Sequence, residues 1–380
     1  MRRRAEPDDP EWRHLTRAAL FLASVFLLRS AVWYGYYNLQ NTARDPRLGD
    51  VQAHRHAVVR PLTLYGAYND KRVLCVGCTR GIGRGVALAL AEQAASVTVV
   101  GRSAVGGAAV VRRMKAHVPE QSFESIAYDM SSVRRAVDFV DALPFRAAEG
   151  GHGGPAELSE DAIREPYDMV VLTIGAWPDS TTPRNADGRD KSIGLAIDAR
   201  YTIIERMLAT GMLLDQPGSR VLSVLASTKA DVPPPDMPTM RRILQGKMAF
   251  NGMPGTFAEV MGAEAAAHDA MLMGLARAHP DVAFIGTHPG IVVTDVIAPT
   301  FPRVLVPLLK LCMWPLSRSE EAIGWITAQI LASEAAGRVL VPSQARFFNS
   351  MMEGRLGAAV GYDSAFVQWL VGEWLGGEVD

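Results

Sequence analysis

From about residue 71 onward the chain alternates short apolar runs with segments of helical period. RVLCVG (72–77), SVTVVG (96–101), ESIAYDM (124–130), MVVLTIG (169–175), RVLSVLAS (220–227) and VAFIGTH (282–288) read as six strands. VALALAEQ (86–93), VVRRMKAHV (110–118) and SVRRAVDFVDAL (132–143) read as helices between the first of them, with further amphipathic stretches later. Strands alternating with helical crossovers make a parallel, doubly wound α/β sheet covered on both faces, whose ligands sit at the carboxyl ends of the strands. Residues 146–166, rich in Gly, Pro and charge, read as a solvated loop.

The pattern ahead of this region is different. AALFLASVFLL (18–28) and AVWYGYY (31–37) join across Arg29 and Ser30 into one apolar stretch. Twenty helical residues at about 1.5 Å each span roughly 30 Å, the thickness of a bilayer core. Trp33, Tyr34, Tyr36 and Tyr37 cluster at one end, as aromatic rings do in the headgroup zone. Arg29 opposes insertion by on the order of 3 kcal/mol, less if its stem snorkels, and a buried or peripheral helix is the alternative. No small-x-small cleavage site follows the run, which argues against a cleaved signal peptide. The expected organisation is a charged tail (1–14), a membrane-anchor helix (15–37), a linker (38–70), a nucleotide-binding domain (71–350) and a C-terminal helical extension (351–380). Membrane lipid is then a partner, with the endoplasmic reticulum or another endomembrane as the expected location.

Composition narrows the function. With 48% hydrophobic residues, 39 Lys+Arg and 40 Asp+Glu, the chain carries no basic field for a polyanion, so no nucleic-acid partner is expected. The three cysteines, Cys75, Cys78 and Cys312, are too few for a disulfide framework and fit thiols in a reducing compartment. Cys75 and Cys78 form a CxxC, but the remaining cysteine is far away and the histidines lack paired ligand spacing, so no metal site is expected. Cys75 reads as a small buried strand residue and Cys78 as a loop residue.

The turn GCTRGIG follows the first strand and opens a helix. Gly77 permits a tight turn, Gly81 lets backbone approach a pyrophosphate, and Gly83 lets helix and strand pack closely, while the helix N-terminus offers free N–H donors. Thr79, Arg80 and Ile82 lie within the same cradle. The spacing GxxxGxG resembles the short-chain dehydrogenase/reductase superfamily, and the resemblance extends over most of residues 71–340. It implies a Rossmann-type fold and a nicotinamide cofactor. Strand two ends in Gly101, Arg102 and Ser103 without an acid for the adenosine ribose; Arg80 and Arg102 instead match a 2′-phosphate, favouring NADP(H) over NAD(H). Asp129 and Met130 correspond to the adenine-contacting pair, Gly175 to the end of the loop after strand four, and Pro289, Gly290 and Thr294 of THPGIVVTD to the segment that walls the nicotinamide.

The catalytic end departs from the family. Active members place a Tyr and a Lys four apart on the helix after strand five; alignment back from LARAHPDVAFIGTHPG puts Met261 and Ala265 there. No tyrosine occurs between Tyr201 and Tyr362 and no lysine between Lys247 and Lys310. The helix-four asparagine falls at Ala196, and the strand-five serine falls near Ala226 with Ser227 one step beyond. The sequence is most similar to a divergent membrane-associated or fungal-type group, with an arginine like Arg200 and a histidine like His268. His268 shares a helix face with Glu264 and is the candidate proton donor, with Ser227 a candidate for binding the substrate oxygen; a packing histidine and a strand-ending serine are the alternatives.

Seven methionines between Met237 and Met273 lie where the superfamily has its substrate lid, which fits a lipophilic small-molecule substrate or a flexible core patch equally. FPRVLVPLLKLCMWPL (301–316) adds apolar surface too broken by proline to span a membrane. Two functions follow: an NADP(H)-dependent oxidoreductase acting on a lipophilic carbonyl or alcohol, or a catalytically silent nucleotide-binding protein that senses or scaffolds at a membrane.

Overall fold

The structure is a computed structural model and describes residues 68–143, 165–181, 183–225, 235–290, 292, 294, 306–307, 318–332, 346–348, 354–355 and 364–375. The first strand, β1 (Arg72–Val76), leads into α1 (Gly81–Glu92); β2 (Ser96–Gly101), α2 (Ala104–His117), β3 (Phe123–Ala127) and α3 (Val133–Asp141) complete the first half. The second half holds β4 (Met169–Leu172), a helical turn (Lys191–Ile193) that passes through a π segment (Gly194–Asp198) into α4 (Ala199–Ala209), then β5 (Arg220–Val224), α5 (Met237–Leu244), α6 (Pro254–Ala278) and β6 (Ala283–Thr287). It closes with α7 (Glu320–Ala332), β7 (Arg346–Phe348), β8 (Gly354–Arg355) and α8 (Ser364–Val367), which continues as a π segment over Gln368–Leu375.

The sheet order is β3-β2-β1-β4-β5-β6-β7-β8. All neighbours run parallel except the β7–β8 pair. The chain order reverses between β1 and β4, so the switch point of this doubly wound sheet lies beside the glycine turn. Both faces are covered. Leu74, Val76, Val170, Leu172 and Val221 join one core with residues of α3, α4, α6 and the C-terminal helix, whereas Val73, Cys75, Val97, Val99, Val171 and Leu222 join the other with α1, α2 and α7. Successive strand residues point to opposite faces, so double coverage requires both sets to be apolar. This is why the strands read as continuous apolar runs.

Two features lie beyond the six expected strands. β7 and β8 extend the sheet, and Phe366, Leu370 and Leu375 enter the core, so the extension expected as helical over 351–380 holds a strand as well as a helix. Helices α1 and α7 cross backbone to backbone: a Cβ on Gly324 would stand 2.9 Å from the nitrogen of Val86, with Gly85 closer still. No side chain could withdraw to make room.

The cysteines correct an expectation. Cys75 and Cys78 are fully buried and joined by a disulfide, so they are not the pair of free thiols expected. The chain bends from strand into turn between them and brings their Cα atoms to 5.6 Å, within the range a disulfide spans. Among the described residues no helix is long and apolar enough to cross a membrane. The apolar stretch at 18–37 lies outside the described residues, as do Ser227, Ala226, residues 146–164 and all of 301–316 except 306–307.

Candidate functional site: a dinucleotide cradle and a buried arginine beneath it

Gly77 leaves β1 with φ +88°, in the left-handed region that favours glycine. Its N–H and that of Cys78 donate to the carbonyl of Val100, 2.8 and 3.1 Å away, which ties the turn to the end of β2. A Cβ on Gly77 would lie 2.6 Å from the nitrogen of Ile174, because the backbone after β4 presses against it. Gly81 (φ +59°) opens α1, and a Cβ on Gly83 would stand 2.6 Å from the Gly77 carbonyl oxygen and 2.8 Å from Cys78 Cα. The three glycines therefore let β1, α1 and the β4 end close on one another. Arg80 takes the N-cap position in extended backbone without a side-chain cap. Arg80 thus offers the first turn of α1, the positive end of the helix, no side-chain acceptor.

The residues expected on the adenosine side cluster at the ends of β1, β2 and β3. Thr79 packs against Gly101, where a Cβ would come within 2.7 Å of its side chain. Arg80 and Arg102 are exposed in the adjacent turns that follow β1 and β2. Ser103 caps α2 by accepting the Gly106 N–H at 3.0 Å. Asp129 follows β3, where one carboxylate oxygen accepts from Ser131 Oγ and Arg135 Nη1, both at 3.0 Å. Met130 is buried beside it.

On the other side of the turn lie β4, β5 and β6. Thr173 donates its hydroxyl to the Val76 carbonyl at 3.1 Å, and Gly175 is exposed at the end of the same loop. Pro289 and Gly290 (φ +71°) follow β6. Thr294, further along the chain, would meet a Cβ on Gly81 with its methyl at 3.5 Å. Ile82 is half-buried beside this contact. The residues expected from sequence to hold a cofactor thus follow the carboxyl ends of β1, β2, β3, β4 and β6.

Beneath these strand ends lies a polar network that sequence did not assemble. Arg200 of α4 is fully buried. Its Nε and Nη2 donate to the carbonyl of Ile174, Nη2 also to the carbonyl of Val224 at 2.9 Å, and Nη1 to Ser223 Oγ at 2.6 Å. His268 Nε2 sits 2.8 Å from Ser223 Oγ and 3.4 Å from Arg200 Nη1. A guanidinium has only donors, so the bonds run from Arg200 to the Ser223 oxygen and from the Ser223 hydroxyl to Nε2, which fixes Nε2 as an acceptor. The helix spacing placed Glu264 and His268 on one face, and both are buried, 4% and 1% exposed. Burial pushes the Glu264 carboxyl up to about 8, although Arg200 and a hydrogen bond from Ser192 pull it down. Burial likewise lowers Arg200 to about 10, so the guanidinium stays charged at neutral pH.

The lid side is aromatic as well as methionine-rich. Phe257 of α6 packs against Trp177 and Phe250 at ring-centroid distances of 5.6 and 5.5 Å. Met261 lies one turn further along α6, half-buried, and Met253 is 62% exposed, whereas Met240, Met271 and Met273 belong to the core. The seven methionines therefore divide between partly or fully exposed positions and core positions.

A parallel sheet with a three-glycine turn at its switch point is the architecture of the Rossmann-type doubly wound α/β fold. A family model for short chain dehydrogenase matches residues 71–147, the segment from β1 through α3. That match covers the glycine turn and the first three strands, and the strand order is that of a Rossmann-type doubly wound sheet. No curated protein matches the chain. Among solved structures it is similar in fold to a short-chain dehydrogenase/reductase from Serratia marcescens, at 17% identity and a TM-score of 0.50, covering 75% of this chain and 99% of that one. It is also similar to a 3-oxoacyl (acyl-carrier-protein) reductase from Agrobacterium tumefaciens with NADP bound, at 19% identity and a TM-score of 0.51, covering 77% and 98%.

Proposed function

We propose that the protein is an NADP(H)-dependent oxidoreductase that interconverts a lipophilic carbonyl compound and its alcohol. The observation that carries this reading is the glycine cradle, in which a Cβ at Gly77 or Gly83 would collide with backbone while Arg80 gives the first turn of α1 no side-chain cap. These features suit a pyrophosphate. Gly77, Gly81 and Gly83 would hold it, Arg80 and Arg102 a 2′-phosphate, and Gly175, Pro289, Gly290 and Thr294 the nicotinamide end. When bound, the cofactor supplies or accepts a hydride. The aromatic contact of Trp177 with Phe257 and the neighbouring Met253 and Met261 support an apolar substrate.

The chain's own task is to place the substrate and move one proton. No tyrosine stands in the α6 stretch of the sequence, and His268 Nε2 already accepts a bond from Ser223 beneath the strand ends. Proton transfer in this reading falls to Ser227 or a bound water, with His268 behind Ser223. Residues 18–37 are proposed as the anchor that keeps the domain at a membrane where lipophilic substrates partition; alkaline carbonate should then leave the full chain in the membrane pellet, and its release would refute the anchor.

The deciding experiment is NADPH oxidation by purified protein across a panel of lipophilic aldehydes and ketones. Turnover supports the enzyme. Turnover indifferent to His268→Ala fits Ser227 or water as the donor, whereas a loss of about 10²- to 10⁴-fold at unchanged NADPH affinity would overturn that assignment and return the proton to His268. The missing Tyr and Lys favour a second reading, a silent nucleotide-binding protein, which NADPH binding without turnover of any carbonyl would support. Absence of nucleotide binding would overturn both.

A further inference from the structure

The strand order decides where the two halves of a dinucleotide must run. With the pyrophosphate at the turn after β1, one half extends over β2 and β3 and the other over β4, β5 and β6. The second half therefore lies on a floor made by the chain just beyond β4 and β5. Strand pairing there stops at Leu172 with Ser223, so the carbonyls of Ile174 and Val224 lie past the last paired residues of the β4–β5 ladder. Both accept from the same side chain, Arg200. One guanidinium, fixed in its fork geometry, thus sets the separation of the two strand ends.

Arg200 also supports the loop that the cofactor half would touch. A Cβ on Gly175 would lie 3.8 Å from Arg200 Nη2, so the guanidinium stands directly behind this exposed glycine. Ser223 and His268 contact the guanidinium through Nη1, and Arg200 is the second residue of α4, directly after the π segment. A buried cation in such a place is costly unless every donor is engaged. A methionine or leucine would fill the same volume more cheaply, so the cation is kept for what its bonds hold.

We propose that Arg200 is a positioning residue for the nicotinamide half of the cofactor: by bridging the Ile174 and Val224 carbonyls it holds the ends of β4 and β5, with Gly175, as a preformed floor. This rests on the NADP(H) reading above. It separates the two halves of the ligand, because the adenosine half meets β1, β2 and β3, none of which Arg200 bonds.

The test compares two probes, NADPH and 2′,5′-ADP, by equilibrium binding to the full-length protein and to its Arg200→Lys and Arg200→Gln variants. Lysine keeps the charge, but its single nitrogen ends one bond short of Nη2 and lacks the fork that holds Ser223 together with both carbonyls, and glutamine keeps one donor group without the charge. Both variants should weaken NADPH by about tenfold or more, the worth of roughly one charge-assisted contact, while 2′,5′-ADP binds as to the unmodified protein. That unchanged 2′,5′-ADP affinity also reports that the glycine cradle is folded. Equal weakening of both probes would make Arg200 a general stabiliser and overturn the proposal, as would NADPH affinity unchanged in either variant. If the unmodified protein binds neither probe, the NADP(H) reading itself fails; if it binds both and only the variants' selectivity is missing, the failure belongs to Arg200 alone.

Discussion

Replacing Gly83 by alanine probes the cradle directly. The added methyl would stand 2.6 Å from the Gly77 carbonyl oxygen and 2.8 Å from Cys78 Cα, both backbone atoms that no rotamer change can move. Ordinary contact lies near 3.4 Å or beyond, so α1 must retreat from the turn by several tenths of an ångström. Overpacking of this kind costs about 1–3 kcal/mol of stability. The functional cost is separate: the N–H groups of α1 and the turn shift relative to one another, and misplacing one charge-assisted phosphate contact of about 1.5–3 kcal/mol weakens binding roughly 10- to 150-fold. Gly188 is the control. It has φ +74°, and a Cβ there meets nothing within 4 Å, so Gly188→Ala carries only the backbone strain of about 1–2 kcal/mol. Urea denaturation and NADPH titration of the two variants should show comparable losses of stability but a loss of affinity only for Gly83→Ala. Gly83→Ala with unmodified stability and affinity would refute the close approach of helix, turn and strand on which the site is built.

Two further outcomes follow from buried groups. Cysteine labelling of denatured protein without reductant should modify one cysteine, Cys312, and three after reduction, because Cys75 and Cys78 are disulfide-bonded; three before reduction would contradict the bridge. Burial holds Glu264 up at about 8 and Asp198 at about 7, so the folded chain keeps protons that the unfolded chain, titrating near 4.5 and 3.8, has already released. Stability should therefore fall as pH rises from about 4 to 8 and level off above it; at about 1.4 kcal/mol per pH unit, the rise from 4.5 to about 8 makes Glu264 alone worth on the order of 5 kcal/mol. Urea midpoints from pH 5 to 8 should show Glu264→Gln flattening this slope, and an unaltered slope would remove Glu264 as its source.

How much of this could be read beforehand depended on whether a residue's environment repeats along the chain. β2 begins and ends where the run SVTVVG does, because a strand covered on both faces is apolar on both, its one mid-strand polar residue, Thr98, being buried and hydrogen-bonded to Tyr167. The glycine turn was equally legible, since its constraint is local. β7 and β8, of three and two residues, are too short to show any period. The Arg200–Ser223–His268 network joins residues 23 to 68 apart in sequence, a proximity that no spacing rule conveys. A trace of it was visible: Ser223 interrupts the apolar run RVLSVL, and a polar residue in a buried strand must have a partner. Compartment and metal spacing, which point to free thiols at the CxxC, are local to the sequence, whereas the bend from strand to turn brings the two sulfurs together. Gly85 and Gly324 likewise carry their meaning only once α1 and α7 are seen to cross.

The most direct test of the cofactor cradle is the affinity of the purified protein for NADPH and NADH, measured side by side for the unmodified chain and Arg102→Ala. With Arg80 and Arg102 beside the cradle, NADPH should bind about 10- to 150-fold more tightly than NADH, and Arg102→Ala should remove most of that difference while leaving NADH unaffected. Equal affinities for the two nucleotides would contradict the 2′-phosphate assignment, and binding of neither would contradict the cradle itself.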